Sequence, residues 1–247
     1  MNRGVVVTGG GHGIGRQICL DFIRAGDKVC FIDIDEKKST KISKEYPDLY
    51  YFHGDVADPS ALKGFIDFAM EKMQRIDVLV NNACHANDKG ILSSMTYEEF
   101  DYTLSVGLKA PYELSRLCKD ELKKNKGRII NIASTRAFQS EPDSEAYASA
   151  KGGIVALTHA LAVSLAPDVL VNCIAPGWIN VTGQQDFSPE DLAAIPAGKV
   201  GHPKDISEMV LFLCQQDFIT GETITIDGGM SKRMIYHGDW NWYYKLD

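Results

Sequence analysis

"GVVVTGGGHGIG", residues 4–15, is a short β-branched run that breaks into five glycines and resumes as an apolar helical pattern. Val5, Val6 and Val7 are stiff at χ1 and favour extended backbone. Glycine has no Cβ, so a glycine-rich turn lets the main chain approach a bulky anion closely. The helix that follows offers unpaired N–H groups and the positive end of its dipole. A strand, glycine turn and helix in this order can therefore hold a diphosphate. The spacing is not G-x-G-x-x-G, which no offset here satisfies. It is G-x-x-x-G-x-G over Gly9, Gly13 and Gly15, with Gly11, His12 and Ile14 among the turn residues.

The same alternation continues along the chain. Strands are predicted at 4–9, 28–33, 49–56, 77–83, 127–134, 169–176 and 222–229, several of them apolar almost throughout. Strands covered on both faces have that character. Helices are predicted at 14–25, 59–74, 97–124, 146–165 and 203–215. In 59–74, Leu62, Phe65, Ile66, Ala69, Met70 and Met73 recur at intervals of mostly three and four, which marks a buried stripe; Asp58 can cap this helix and Pro59 suits its first position. The pattern predicts an α/β fold: a single-domain doubly wound parallel sheet of about seven strands, with helices on both faces. With no repeat or linker, residues 1–247 are expected to form one Rossmann-type domain. Segment 180–200 is a candidate substrate lid, and 230–247 a C-terminal tail with "DWNWYY" at 239–244, whose aromatics suit packing better than chemistry.

Composition narrows the function. A net charge of −7 argues against nucleic-acid or anionic-membrane partners. Apolar runs are strand-sized, which predicts no bilayer span, and no export signal is expected. The six cysteines are scattered, most in apolar segments, so they are expected to be buried and reduced in a cytoplasmic protein; no metal site is expected.

The second strand ends in "FIDID". Asp33 lies twenty residues after Gly13 at that strand end, where a carboxylate accepts from ribose hydroxyls and repels a 2′-phosphate. This favours NAD over NADP as cofactor. The competing reading is that Asp33 caps a turn while Lys37 or Lys38 holds a phosphate.

"SEAYASAKGG", residues 144–153, puts Tyr147 and Lys151 one helical turn apart, on one face. A phenol with pKa near 10 is a poor base at neutrality. An ammonium at ~4 Å, with an effective dielectric of ~20, favours the phenolate by about 4 kcal/mol, roughly three pKa units. The spacing alone arises by chance in long chains.

Taken together, Thr8-Gly9-x-x-x-Gly13-x-Gly15, Asp55-Val56, "NNA" at 81–83, Ser134, Tyr147-x-x-x-Lys151, Asn172, and Pro176-Gly177 with Ile179 and Thr182 resemble the short-chain dehydrogenases/reductases over residues 4–229. Ser134 stands thirteen residues before Tyr147, the spacing of that family. The resemblance implies catalysis by Ser134, Tyr147 and Lys151, with Tyr147 as acid/base and Lys151 also bonding the nicotinamide ribose. It implies that Asp55 and Val56 flank the adenine, that Asn82 lies near the adenosine ribose, and that Ile179 and Thr182 hold the carboxamide. It also implies a homodimer or homotetramer, paired through helices 97–124 and 146–165.

Two positions depart from the family. Cys84 replaces the glycine of N-N-A-G. Gly107 stands where the family has an asparagine that helps hold a water on the lysine's path to solvent. The substitution predicts a replacement water in the vacated volume, held by backbone carbonyls and Ser105, His85 or Cys84. The expected pocket walls at 84–90, 135–145 and 178–190 are polar, which points to a small-molecule substrate such as a sugar or polyol secondary alcohol. Trp178 could stack on it or simply pack. Two other classes remain at this stage: an NAD-binding regulatory or scaffold protein with little turnover, and epimerisation or dehydration begun by transient oxidation.

Overall fold

The structure is a computed structural model and describes residues 2–86 and 89–234. Seven parallel strands form one sheet in the order β3-β2-β1-β4-β5-β6-β7. They are β1 (Gly4–Thr8), β2 (Lys28–Asp33), β3 (Leu49–His53), β4 (Val78–Asn81), β5 (Arg128–Ile132), β6 (Leu170–Pro176) and β7 (Thr223–Ile226). The expected doubly wound α/β sheet is present, with predicted ends trimmed by a few residues.

Side-chain alternation explains the two covered faces. Val5 and Val7 of β1 and Val78 and Val80 of β4 face α1 (Gly13–Arg24) and α8 (Pro203–Leu213). Val6 and Leu79 face the other way, onto α3 (Pro59–Met73) and α5 (Ala110–Lys124). Asp58 caps α3 as expected, accepting from the Ser60 N–H at 2.8 Å, with Pro59 at its start. A helix the pattern did not single out, α2 (Glu36–Ser43), joins β2 to β3.

The predicted helix 97–124 is not continuous. It runs as α4 (Tyr97–Leu104), a π-helical turn over Ser105–Lys109, and α5. The break surrounds Gly107, whose missing side chain allows irregular backbone. Between β5 and β6 lies α6 (Glu145–Leu165), which packs on β6. By length and composition α6 is apolar enough to cross a membrane, against the expectation of strand-sized apolar runs only. Its apolar character has a packing use here: Ile154 sits with Cys173 and Ala175 of β6 in one small core.

The candidate lid is held at both ends. Ile179 bridges to Gly201 in parallel fashion, and the Ala197 N–H donates to the Gly228 carbonyl at 2.9 Å. Inside it lies the short helix α7 (Pro189–Ala193), and the Arg233 guanidinium donates to the Ala193 carbonyl. The aromatic stretch 239–244 of the tail lies outside the described residues.

Candidate functional site

β1 is flanked by β2 and β4, so the strand order reverses there and a crevice opens at the strand C-termini. A cleft of about 450 Å³ occupies it. The glycine turn forms its floor. Gly9 and Gly13 take positive φ, 69° and 55°, which L side chains rarely adopt. A Cβ on Gly15 would lie 2.0 Å from the Gly9 carbonyl oxygen. His12 is extended and exposed, and no side chain caps α1, so the first-turn N–H groups face an anion without a competitor. The residues present fit a dinucleotide diphosphate.

Gly9, His12, Gly13 and Ile14 line the cleft, as do Asp33, Asp55, Val56 and Asn82. Gly11 stands behind the wall. Its N–H donates to Asp33 Oδ2 at 2.8 Å, and the Asp35 N–H donates to Asp33 Oδ1 at 2.9 Å. Asp33 is therefore a fixed, largely buried carboxylate at the cleft edge, and it does cap a turn. Asn82 braces the floor: its amide donates to the Thr8 and Gly9 carbonyls at 2.9 and 3.1 Å. Asp55 accepts from the Ala57 N–H at 2.8 Å and from the Tyr102 hydroxyl at 2.9 Å.

A second group gathers at the C-terminal end of β5. Ser134 Oγ accepts from the Arg136 N–H at 3.2 Å, which leaves its O–H free to donate. Lys151 is 2 % exposed, and its ammonium donates to the Ile132 carbonyl at 2.7 Å. The same Nζ lies 5.5 Å from the centroid of the half-buried Tyr147 ring. A buried ammonium needs partners, and the Ile132 carbonyl takes one of its three donors.

The two groups meet at the π-turn. Val106 lines the cleft, while a Cβ on its neighbour Gly107 would lie 2.9 Å from Ala150 Cβ, one residue before Lys151. A side chain at position 107 would thus press on Ala150 of α6.

Ile179 and Thr182, like Ser134, Tyr147 and Lys151, lie outside the lining of this cleft. Ile179 packs against the core on the α1 and α8 side of the sheet, and the exposed Thr182 hydroxyl donates to Asn180 Oδ1 at 3.3 Å. Val181, between them, does line it, against the position a Gly13 Cβ would take. Tyr102 was not singled out by the sequence; His85 was named only as a holder of the replacement water and Val181 only within the expected wall 178–190, because tertiary packing rather than spacing brings them to this cleft.

The polar pocket walls are partly committed to the protein itself. Asp143 accepts from the Leu92 N–H at 2.8 Å, Glu145 accepts from the Ile91 N–H at 3.3 Å, and Arg136 pairs with Glu141. Trp178 packs edge-on against Phe187, centroids 5.6 Å apart.

Residues 9–231 match the family model described as Enoyl-(Acyl carrier protein) reductase. The solved structure of an apo SCOR enzyme from Clostridium thermocellum superposes with a TM-score of 0.96, at 82% identity over 100% of both chains. The chain belongs to the short-chain dehydrogenase/reductase family. An uncharacterized oxidoreductase of Thermotoga maritima is 42% identical, over 94% of this chain and 96% of its own. The structure of ElxO with NADP bound has a TM-score of 0.85 at 29% identity, covering 94% of this chain and 100% of its own. As a short-chain dehydrogenase/reductase, this chain is an NAD(P)-binding oxidoreductase.

Proposed function

We propose that this short-chain dehydrogenase/reductase uses NAD to interconvert a small polar secondary alcohol and its ketone, with Tyr147 as acid/base. The observation that carries the reading is the Lys151 ammonium, buried beside the Tyr147 ring one helical turn away. A bound nicotinamide supplies the hydride acceptor or donor. The chain's own residues manage the proton and the geometry. Lys151, fixed by the Ile132 carbonyl, holds positive charge where a phenolate would form. Tyr147 takes the hydroxyl proton of the alcohol or returns it to the ketone oxygen. Ser134 donates its free O–H to that oxygen and orients it. The glycine turn would hold the diphosphate, and Asp33 the adenosine ribose.

Asp33 supports NAD. It is held in place by two main-chain N–H groups, so it cannot swing away from a 2′-phosphate without losing both. Ile34, next in sequence and 62% exposed, offers that phosphate no cation.

A second substrate reading has its own support. With Asp143, Glu145 and Glu141 engaged within the loops, Phe138 stands 59% exposed three turn residues beyond Thr135. An alcohol carrying an apolar substituent suits that wall. Incubation with NAD or NADP and a panel of polyols, sugars, hydroxyacyl esters and aryl secondary alcohols, followed by reduced-nicotinamide absorbance, tests both readings. Turnover of polyols or sugars with NAD supports the first, and turnover confined to the esters and aryl alcohols the second. Tight NAD binding without turnover on any of them favours a regulatory protein.

The same proposal includes association of copies through α5 and α6, where Tyr112 and Val163 are 54% and 81% exposed. Sedimentation equilibrium gives the assembly mass directly.

A further inference from the structure

The first turn of α6, which carries Tyr147, has no side-chain cap. Ser144 stands at the N-cap position, but its hydroxyl donates to the Glu141 carbonyl at 2.5 Å instead. Helix ends without such a cap fray unless other contacts hold them. Here the loop before α4 holds the end. The Leu92 N–H donates to Asp143 Oδ1 at 2.8 Å, and the Ile91 N–H to Glu145 Oε2 at 3.3 Å. The approach is close enough to require a glycine: a Cβ on Gly90 would lie 2.3 Å from the Asp143 Cα and 2.2 Å from Glu145 Oε2. Asp143 itself takes a φ of 59°, a region that Asp and Asn tolerate better than other L residues. The loop is braced in turn. The Gly90 N–H donates to the Ser93 hydroxyl and the Met95 N–H to the Gly90 carbonyl, both at 2.9 Å, and Lys89 pairs with Glu99 in the capped first turn of α4. On its other side the segment reaches back to Ser134: Glu141 pairs with Arg136, whose main-chain N–H donates to Ser134 Oγ.

We propose that Asp143 and Glu145 are positioning residues for Tyr147: together they latch the first turn of α6 to the 90–92 backbone and so set the phenol relative to Ser134. Asp143 and Glu145 precede Tyr147 by four and two residues, so any shift at the latch moves the phenol with the helix start. In the proposed reaction Ser134 and Tyr147 act on one oxygen. Rate depends steeply on such geometry, and a misplacement of about 1 Å can cost about 10²-fold. Neither carboxylate lines the dinucleotide cleft, so the latch acts on the reacting geometry and not on cofactor affinity. The inference rests on the reading of Tyr147 as acid/base.

Amide hydrogen exchange and steady-state kinetics on the intact protein test it with three variants. Asp143→Gly removes the acceptor and suits the positive φ. Asp143→Asn keeps an acceptor oxygen at the same φ. Gly90→Ala forces the loop away from Asp143. In Asp143→Gly, exchange should quicken about tenfold or more at the Leu92 amide and at the Ala148 amide, which bonds the Ser144 carbonyl at the start of α6. Its melting temperature should stay close to wild type. On the alcohol found by the panel, its kcat should fall about tenfold, while KM and the Kd for NAD stay within about twofold. Gly90→Ala should show the same split, and Asp143→Asn should keep kcat within about threefold of wild type. Unchanged exchange at Leu92 and Ala148 in Asp143→Gly overturns the latch, whatever the rate. Faster exchange with wild-type kcat, or an Asp143→Asn as slow as Asp143→Gly, overturns the positioning role and leaves the acid/base reading intact. A wild type that turns over no alcohol of the panel overturns the acid/base reading, and the positioning role with it.

Discussion

Gly107 and Ala150 touch where two helices cross: a Cβ added to Gly107 would come 2.9 Å from the Ala150 Cβ. Ala150 lies on α6 between Tyr147 and Lys151, so the glycine sets how closely the π-turn approaches the proposed acid/base pair. Returning the asparagine usual in the family should therefore harm this protein. Overpacking of this kind costs about 1–3 kcal/mol, and for a domain of this size each kcal/mol lowers Tm by about 2–4 °C. Gly107→Asn should melt several degrees lower, and adding Ala150→Gly should recover most of the loss. Calorimetric scans of the single and double variants check it. An unchanged Tm for Gly107→Asn would show that the contact relaxes freely.

Asp33 should govern the choice between NAD and NADP. Asp33→Asn keeps an oxygen for the Gly11 or Asp35 N–H but removes the charge. NAD should bind about tenfold more weakly and NADP more tightly than to wild type, as expected when a charged hydrogen bond is lost and a like-charge repulsion relieved. Calorimetric Kd values for both dinucleotides decide it. Wild type binding NADP as tightly as NAD would contradict the role given to Asp33.

Thiol reactivity should single out Cys84. Among the six free cysteines it alone is exposed; the other five are buried. Burial pushes the Cys118 and Cys214 thiols up to about 12, and those of Cys19 and Cys30 higher still. Native protein should react with one equivalent of a maleimide, mapped by mass spectrometry to Cys84. Cys84 also lines the cleft, so saturating NAD should slow the reaction. Labelling of a second site before unfolding would contradict the burial described here.

Acid should loosen the contact between α1 and α8. Burial pushes the Asp21 carboxyl up, but hydrogen bonds from Gln17 and Ser207, together with Arg24, outweigh it and hold the group below its ordinary value. A depressed carboxyl adds stability above its unfolded pKa, about 3.9, and that stability is lost as pH falls through the lower folded value. Asp21→Ala should cost about 1–3 kcal/mol at pH 7, and less as the pH falls below about 4. Urea unfolding at a series of pH values measures both. A cost that does not change with pH would show that the carboxylate's charge is not involved.

The fold was legible because β-branched runs alternate with three-and-four spacing, and because several strands are apolar almost throughout. The β1 valines show it: their alternating contacts on two helix layers follow from strand geometry alone. The proposed acid/base group was legible because Tyr147 and Lys151 are local neighbours on one helix. Contacts made across the fold were not. Tyr102 is 47 residues from Asp55, and no local pattern marks their hydrogen bond. At Gly107 the glycine allowed for a local kink, but the approach of Ala150 to it was not legible. The polar loops suggested a polar pocket, but hydrogen bonds from the Ile91 and Leu92 N–H groups to Glu145 and Asp143 show that polar residues there also hold the loops in shape. Composition cannot separate those two uses.

The central claim is that Tyr147, beside the buried Lys151 charge, carries the proton that accompanies hydride transfer. Tyr147→Phe removes only the hydroxyl, so NAD affinity should stay within about twofold of wild type, while the rate on the alcohol found by the panel falls by about 10²–10⁴-fold. A variant that binds NAD normally and still turns over at the wild-type rate would contradict the account.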